Sequence, residues 1–157
     1  MVRKALRWFG YILGVILVLA LLLAAWIWFA SSRELGRAHA AAPERLTAPA
    51  AAQLADGPRL ARVLGCFSCH GEGLRGRVML DIPNVLKLWS SNLTEVAARA
   101  TDQQLAAAIR QGIGVDGRGL LAMPSPQYSH LTDAEVAALI GVIRAQPRGG
   151  DATPPTE

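Results

Sequence analysis

Cysteine and histidine are scarce in this chain of 157 residues, which has two of the first and three of the second. A structural zinc site takes four Cys or His ligands, and beyond Cys66, Cys69 and His70 only His39 and His130 remain, isolated and far apart. A thioredoxin-like dithiol calls for a βαβ context, whereas the surroundings of Cys66 read as helical and glycine-rich. A basic stripe is also missing. The net charge is +4 and the pI about 9.7, but Arg3, Lys4 and Arg7 supply +3 of it at the N-terminus, and between Asp56 and Gln146 nine Arg or Lys face eight Asp or Glu. That balance speaks against a nucleic-acid partner. Finally, no charged residue occurs from Trp8 to Ala30.

The two cysteines stand in Cys66-Phe67-Ser68-Cys69-His70. C-x-x-C-H is the attachment sequence of a c-type haem: each thiol adds across one vinyl group of the same porphyrin, and the histidine becomes the first axial ligand of the iron. One covalent haem c would consume both cysteines. No disulfide is then left for a domain near the lower size limit for a self-sufficient core, so the porphyrin fills the middle.

The uncharged run from Trp8 to Ala30 is about 23 residues, or about 35 Å as a helix, enough to cross a hydrocarbon core of about 30 Å. Arg3, Lys4 and Arg7 before it mark the cytoplasmic side, and Trp8, Tyr11, Trp26 and Trp28 sit at interfacial positions. The expectation is a retained single-pass anchor over 1–31 in the inner membrane of a bacterium, with the remainder periplasmic. The rival is a cleaved signal peptide. Its apolar core would be about 7–15 residues, and the small-x-small site Ala38-His39-Ala40 lies well beyond the run. Residues 32–55, rich in Ala and Pro, read as a tether in which His39 is solvated.

The domain proper is expected over 56–146, and all-α. Asp56-Gly57-Pro58 offers a helix start with Pro in its first turn, leading through Leu60, Val63 and Leu64 to Cys66. Gly71, Gly73 and Gly76 allow the chain to bend closely after His70. Asn92-Leu93-Thr94-Glu95, Thr101-Asp102-Gln103-Gln104 and Thr132-Asp133-Ala134-Glu135 have the form of capping boxes. The second predicts a helix with Leu105, Ala108 and Ile109 on one face, ended by Gly112; the third predicts one with Val136, Leu139, Ile140 and Ile143 inward, ended by Pro147. Residues 147–157 read as a disordered tail.

Between these two helices, residues 112–124 form a loop with four glycines and Met123-Pro124. A thioether must approach the iron from the face opposite His70, which a loop about fifty residues downstream can do. Met123 is therefore the expected sixth ligand, with Pro124 stiffening the backbone beside it. Met79, nine residues from His70, would have to turn around the haem edge at once; His130 would give a bis-histidine iron.

Together these elements resemble the small class I cytochrome c domains found singly and as repeats in the cytochrome subunits of membrane-bound alcohol and sugar dehydrogenases. The residues that carry the resemblance are Cys66 to His70, Asn92 to Thr94, a variant Gly112-to-Arg118 run, Met123-Pro124, and Tyr128 to Asp133. It implies an α-helical fold around one haem with His70 and Met123 as axial iron ligands. The chain departs from that group at Ala100, where relatives often have a Trp that meets a haem propionate. It departs again at Ser91, where they often have Pro; Pro83 then offers itself as the carbonyl that holds the imidazole of His70.

With both axial positions filled, the chemistry left is one-electron exchange at the haem edge. The chain reads as an electron carrier and not an enzyme, taking electrons from a quinol-oxidising complex or a periplasmic dehydrogenase and passing them to a terminal oxidase. Two rivals stand beside this: a gas sensor or peroxidase-like protein with a displaceable Met123, and a fixed subunit of a larger respiratory complex, packed through Gly10 and Gly14. Arg75, Arg77 and Arg118 are candidates for propionate pairing or partner docking, against an ordinary reading as solvated charge.

Overall fold

The structure is a computed structural model that describes residues 2–154. Its contacts divide the chain into two units, Met1–Arg37 and Ala38–Glu157. The first is one helix, α1 (Val2–Leu35), exposed along its length and carrying Arg3, Lys4 and Arg7 at one end and Arg33 and Glu34 at the other. It is long and apolar enough to cross a membrane. Its 34 residues exceed the uncharged run because the helix continues through polar residues at both ends.

The second unit is mostly helical: α2 (Ala51–Val63), α3 (Cys66–His70), a 3-10 turn (Glu72–Leu74), then after a hairpin α4 (Leu93–Arg99), α5 (Asp102–Gln111), α6 (Ser125–Tyr128) and α7 (Asp133–Arg144). The caps explain the boundaries. Thr101 and Thr132 form the reciprocal boxes their sequences predict, and Gly112 closes α5 with φ 67°. Asn92 caps α4 through its side-chain oxygen, but Glu95 turns instead to Arg148.

The core lies where α7 meets α2, α4 and α5. Val136, Leu139, Ile140 and Ile143 pack with Ala61, Ala97, Leu105 and Ile109. The α2–α7 crossing is close because Gly57 has no side chain: a Cβ there would sit 3.0 Å from Val142 Cγ2 and 3.2 Å from the Ala138 carbonyl. Arg144, near the end of α7, donates to the carbonyls of Ala97 and Ala100 (2.9 and 3.0 Å) and pairs with Asp102, tying three helices together.

Three expectations need correction, and one small element is added to the helices. The helix before the C-x-x-C-H turn begins at Ala51, not Asp56, and Pro58 falls inside it. Ala is the strongest helix former, so the Ala-rich stretch propagates the helix, at the cost of the hydrogen bond Pro58 cannot give Leu54. The added element is a two-stranded antiparallel hairpin, β1 (Arg77–Ile82) and β2 (Leu86–Ser90), set among the expected helices. The stretch expected as a tether is laid on the domain over 38–46: the His39 N–H donates to Gly117, Ala42 is bracketed by Gln111, Glu44 pairs with Arg110, and Leu46 packs against the core. Within 147–154 the chain has no regular structure but is tied down, since Asn92 Nδ2 donates to the carbonyls of Gly149 and Asp151. Residues 155–157 of the expected tail lie outside the described residues.

Candidate functional site

Gly65, in the left-handed region at φ 78°, turns the chain out of α2 and starts α3, whose single turn is the motif itself. Positions three apart share a helix face, so Cys66 and Cys69 are neighbours there. Both are half-buried free thiols. Burial pushes the Cys66 thiol up, keeping it protonated; an oxidoreductase dithiol needs the opposite, a thiol poised toward thiolate.

His70 closes the turn. Its Nδ1 lies 2.8 Å from the Ser91 carbonyl. A carbonyl only accepts, so Nδ1 carries the proton and Nε2 presents its lone pair. Burial lowers the pKa of His70, partly offset by the Ser91 bond, and the ring is held neutral, as a metal ligand must be.

The hairpin delivers that carbonyl. Its base is fixed to His70, whose carbonyl accepts from the Gly76 N–H at 2.7 Å. Arg77 pairs with Ser90 at this end, and Ile82 pairs with Leu86 at the tip. Gly76 (φ +83°) is required: a Cβ there would lie 2.7 Å from the Ser90 carbonyl and 3.0 Å from the Asn92 nitrogen. The Pro83 assignment is therefore wrong. Pro83 is in the turn at the far tip, while Ser91 leaves the strand beside the imidazole. The hairpin had a signal in the sequence, the Pro83-Asn84 pair between two runs rich in strand-forming residues.

The Met123 loop is built from the other direction. Leu120 N donates to the Gly112 carbonyl (2.7 Å), and Ser125 Oγ to the Ala108 carbonyl (3.0 Å), so residues 121–124 bridge two fixed points at the end of α5. Met123 is half-buried and packs against the same core cluster as Cys66 and Phe67. Tyr128 Oη donates to the Leu64 carbonyl (2.7 Å), linking α6 to the turn that starts α3. Burial raises its pKa, and Cys66 and Cys69 are near enough to add to the shift.

Of the alternatives, Met79 sits on β1, 38% exposed, in the hairpin that serves His70 itself. His130 is exposed, and His39 is half-buried against Gly119. Arg118 pairs with Asp116 at 2.7 Å, Arg77 reaches the Ser68 carbonyl at 3.4 Å, and Arg75 lies against Gly149 and Gly150.

The residues present fit a c-type haem. Two unpaired thiols precede a neutral imidazole whose Nε2 has no partner among the described residues, and Trp89, two residues before Ser91, has a buried indole N–H with no acceptor among them either. A carboxylate-bearing porphyrin supplies chemistry that each of these groups lacks.

Comparison with known proteins agrees. The sequence model of the family described as cytochrome c oxidase, cbb3-type, subunit III, matches residues 52–141. The fructose dehydrogenase cytochrome subunit of Gluconobacter japonicus is 32% identical over 109 residues, covering 63% of this chain and 22% of that protein. The chain thus spans about a fifth of the length of the curated relative it matches.

Proposed function

Because the chain belongs to the c-type cytochrome family described as cytochrome c oxidase, cbb3-type, subunit III, we propose that it is a membrane-anchored, monohaem electron carrier. Cys66 and Cys69 would hold the porphyrin by thioether bonds, with His70 and Met123 as the axial iron ligands. The observation that carries this reading is the His70–Ser91 hydrogen bond, which fixes the tautomer and leaves Nε2 as a ligand on the same short helix as two free thiols.

A haem held there supplies one-electron exchange between ferric and ferrous iron. His70 and Met123 would both hold the iron, which would leave no vacant position for a substrate. A Met123 thioether on the iron would favour the ferrous state and raise the potential. The Ser91 carbonyl orients the His70 ring, and Met123 packs against the core cluster.

Helix α1 would remain as the anchor in a bacterial inner membrane, with Arg3, Lys4 and Arg7 cytoplasmic and the haem domain periplasmic. Partners are redox proteins: a quinol-oxidising complex or a dehydrogenase as donor, a terminal oxidase as acceptor. The similarity to a protein named as a dehydrogenase's cytochrome subunit favours a second reading, a fixed subunit of such a complex. Helix α1 carries Gly10 and Gly14, a small-xxx-small pair that would let such a partner helix approach closely. Co-purification from membranes in mild detergent separates free carrier from fixed subunit.

The test of the central reading is spectroscopic. Haem should resist extraction by acid and organic solvent, and the mature mass should carry one haem. Met123→Ala should abolish the weak red absorption band of sulfur-bound ferric haem, lower the potential, and open the ferrous iron to carbon monoxide. Rapid binding of carbon monoxide with peroxide turnover by the unaltered protein would favour the sensor or peroxidase reading instead.

A further inference from the structure

Within 112–122 no residue is fully buried, and Val115 is the one side chain of that stretch packed against the core cluster. The rest of the loop that carries Met123 is held by hydrogen bonds: Gly114 N to the Arg118 carbonyl (2.8 Å), Leu120 N to the Gly112 carbonyl (2.7 Å), and the bridge between Ile113 and Gly119. Its outer edge is met by chain from before α2. The His39 N–H donates to the Gly117 carbonyl at 2.7 Å, and Ala38 bridges to Arg118 in antiparallel fashion. Gly117 has φ +79°, and a Cβ there would lie 3.4 Å from the His39 carbonyl, so glycine serves both the turn and the close approach.

That chain is itself fastened to the end of α5. Gln111 accepts from Ala42 N (2.8 Å) and donates back to the Ala42 carbonyl (3.0 Å). Two residues on, the Glu44 carboxylate takes Arg110 Nη1 at 2.7 Å on one oxygen and Gln111 Nε2 on the other. The Glu44 side chain is 6% exposed and that of Arg110 13%. Such a pair is almost out of water and differs from the exposed ion pairs elsewhere in the chain. Arg110 also donates to the Leu131 carbonyl (2.9 Å) and to Asp133 Oδ1 (2.8 Å), so α5, the start of α7 and the segment 38–46 meet at one guanidinium.

We propose that residues 38–46 form a strap that positions the Met123 loop, and that Glu44 is the positioning residue that fastens it through Arg110 and Gln111. This rests on the reading of Met123 as the sixth ligand. A neutral thioether holds iron only while its loop stays closed, so the strap sets the fraction of molecules in which the sixth position is filled. Loss of one hydrogen bond to a charged group would raise the open fraction about ten- to a hundredfold.

The test uses the full-length haem-loaded protein in detergent, with Glu44→Gln and Gln111→Ala beside Met123→Ala. Both strap variants should speed carbon monoxide binding to ferrous protein by about ten- to a hundredfold. They should also weaken the red ferric band at temperatures where helical circular dichroism is unchanged. Parental band and binding rate in the strap variants, with Met123→Ala abolishing the band, would overturn the strap even if they melt earlier. If Met123→Ala leaves the band intact, the ligand reading itself falls and takes the strap with it. Should Glu44→Gln not fold, Gln111→Ala decides by the same readouts, because it removes the bonds to Ala42 and one bond to Glu44 while leaving the Glu44–Arg110 pair in place.

Discussion

Asparagine and aspartate are equally good helix caps, and aspartate gains more from the helix dipole. At position 92 they should not be interchangeable. The Asn92 side chain is almost fully enclosed, 1% exposed. Its Oδ1 caps α4 by accepting from Thr94 N (3.1 Å) and Thr94 Oγ1 (2.7 Å), a role a carboxylate would fill as well. Its Nδ2 donates at 3.0 Å to both the Gly149 and Asp151 carbonyls. Asn92→Asp turns those two contacts from donor–acceptor into acceptor–acceptor. Two lost bonds are worth about 1 kcal/mol each, and a buried oxygen facing two carbonyls adds to that, for about 2–4 kcal/mol in all.

Asn92→Ala loses the cap as well, about 1 kcal/mol, but creates no repulsion, so the aspartate variant should be at least as costly. For a domain of this size the melting temperature should fall by about 10–20 °C. Thermal unfolding of the haem-loaded protein measures it. Protonating the introduced carboxylate would let it donate to one carbonyl, so the penalty should shrink as pH falls. In a chain ending at Gln146 the two carbonyls are absent, and Asn92→Asp should be neutral or stabilising. A full-length Asn92→Asp protein as stable as its parent would refute the packing of residues 148–153 over this residue.

Other outcomes follow from single contacts. Thr132→Ala should cost about 1 kcal/mol at neutral pH by removing the cap of α7. The bonds from Thr132 hold Glu135 below its ordinary 4.5; its contribution is therefore present above that pH and lost as pH falls through the depressed value, so denaturation curves of Glu135→Gln and parent should converge in acid. Gly57→Leu should destabilise by about 1–3 kcal/mol or more, since even its Cβ would meet Val142 and the Ala138 carbonyl; urea unfolding reads this directly. A chain begun at Ala38 should need no detergent yet keep the parental ferric spectrum, because the strap is retained; a spectrum altered by that truncation would mean that α1 contributes to the haem site.

The parts of this fold that the sequence announces are those in which a side chain does something only that side chain can do. Thr101, Gln104, Thr132 and Glu135 mark two helix starts because capping needs an oxygen at one position and an acid or amide three later. Cys66, Cys69 and His70 stand out as a motif for the same reason. The start of α2 is not: Ala50 to Ala55 reads equally as linker or helix by composition, and packing of Ala61 and Leu60 against the core decides in favour of helix.

What stays hidden is what the backbone supplies. Any residue at position 91 has a carbonyl, so the partner of His70 leaves no side-chain signature, and the register of the hairpin alone brings Ser91 and not Pro83 to the imidazole. The segment 38–46 is hidden in another way. Among its alanines, Glu44 looks like one more scattered charge, and its partner Arg110 is 66 residues away. An ion pair at that separation has no periodicity to betray it. Burial separates this carboxylate from the surface ones: Glu44 is enclosed with two donors, whereas Asp56 pairs only with its exposed helix neighbour Arg59. The enclosed pair loses most when one partner is removed, so the same inspection of composition that labels 32–55 a tether passes over the residue whose loss should be felt at the iron.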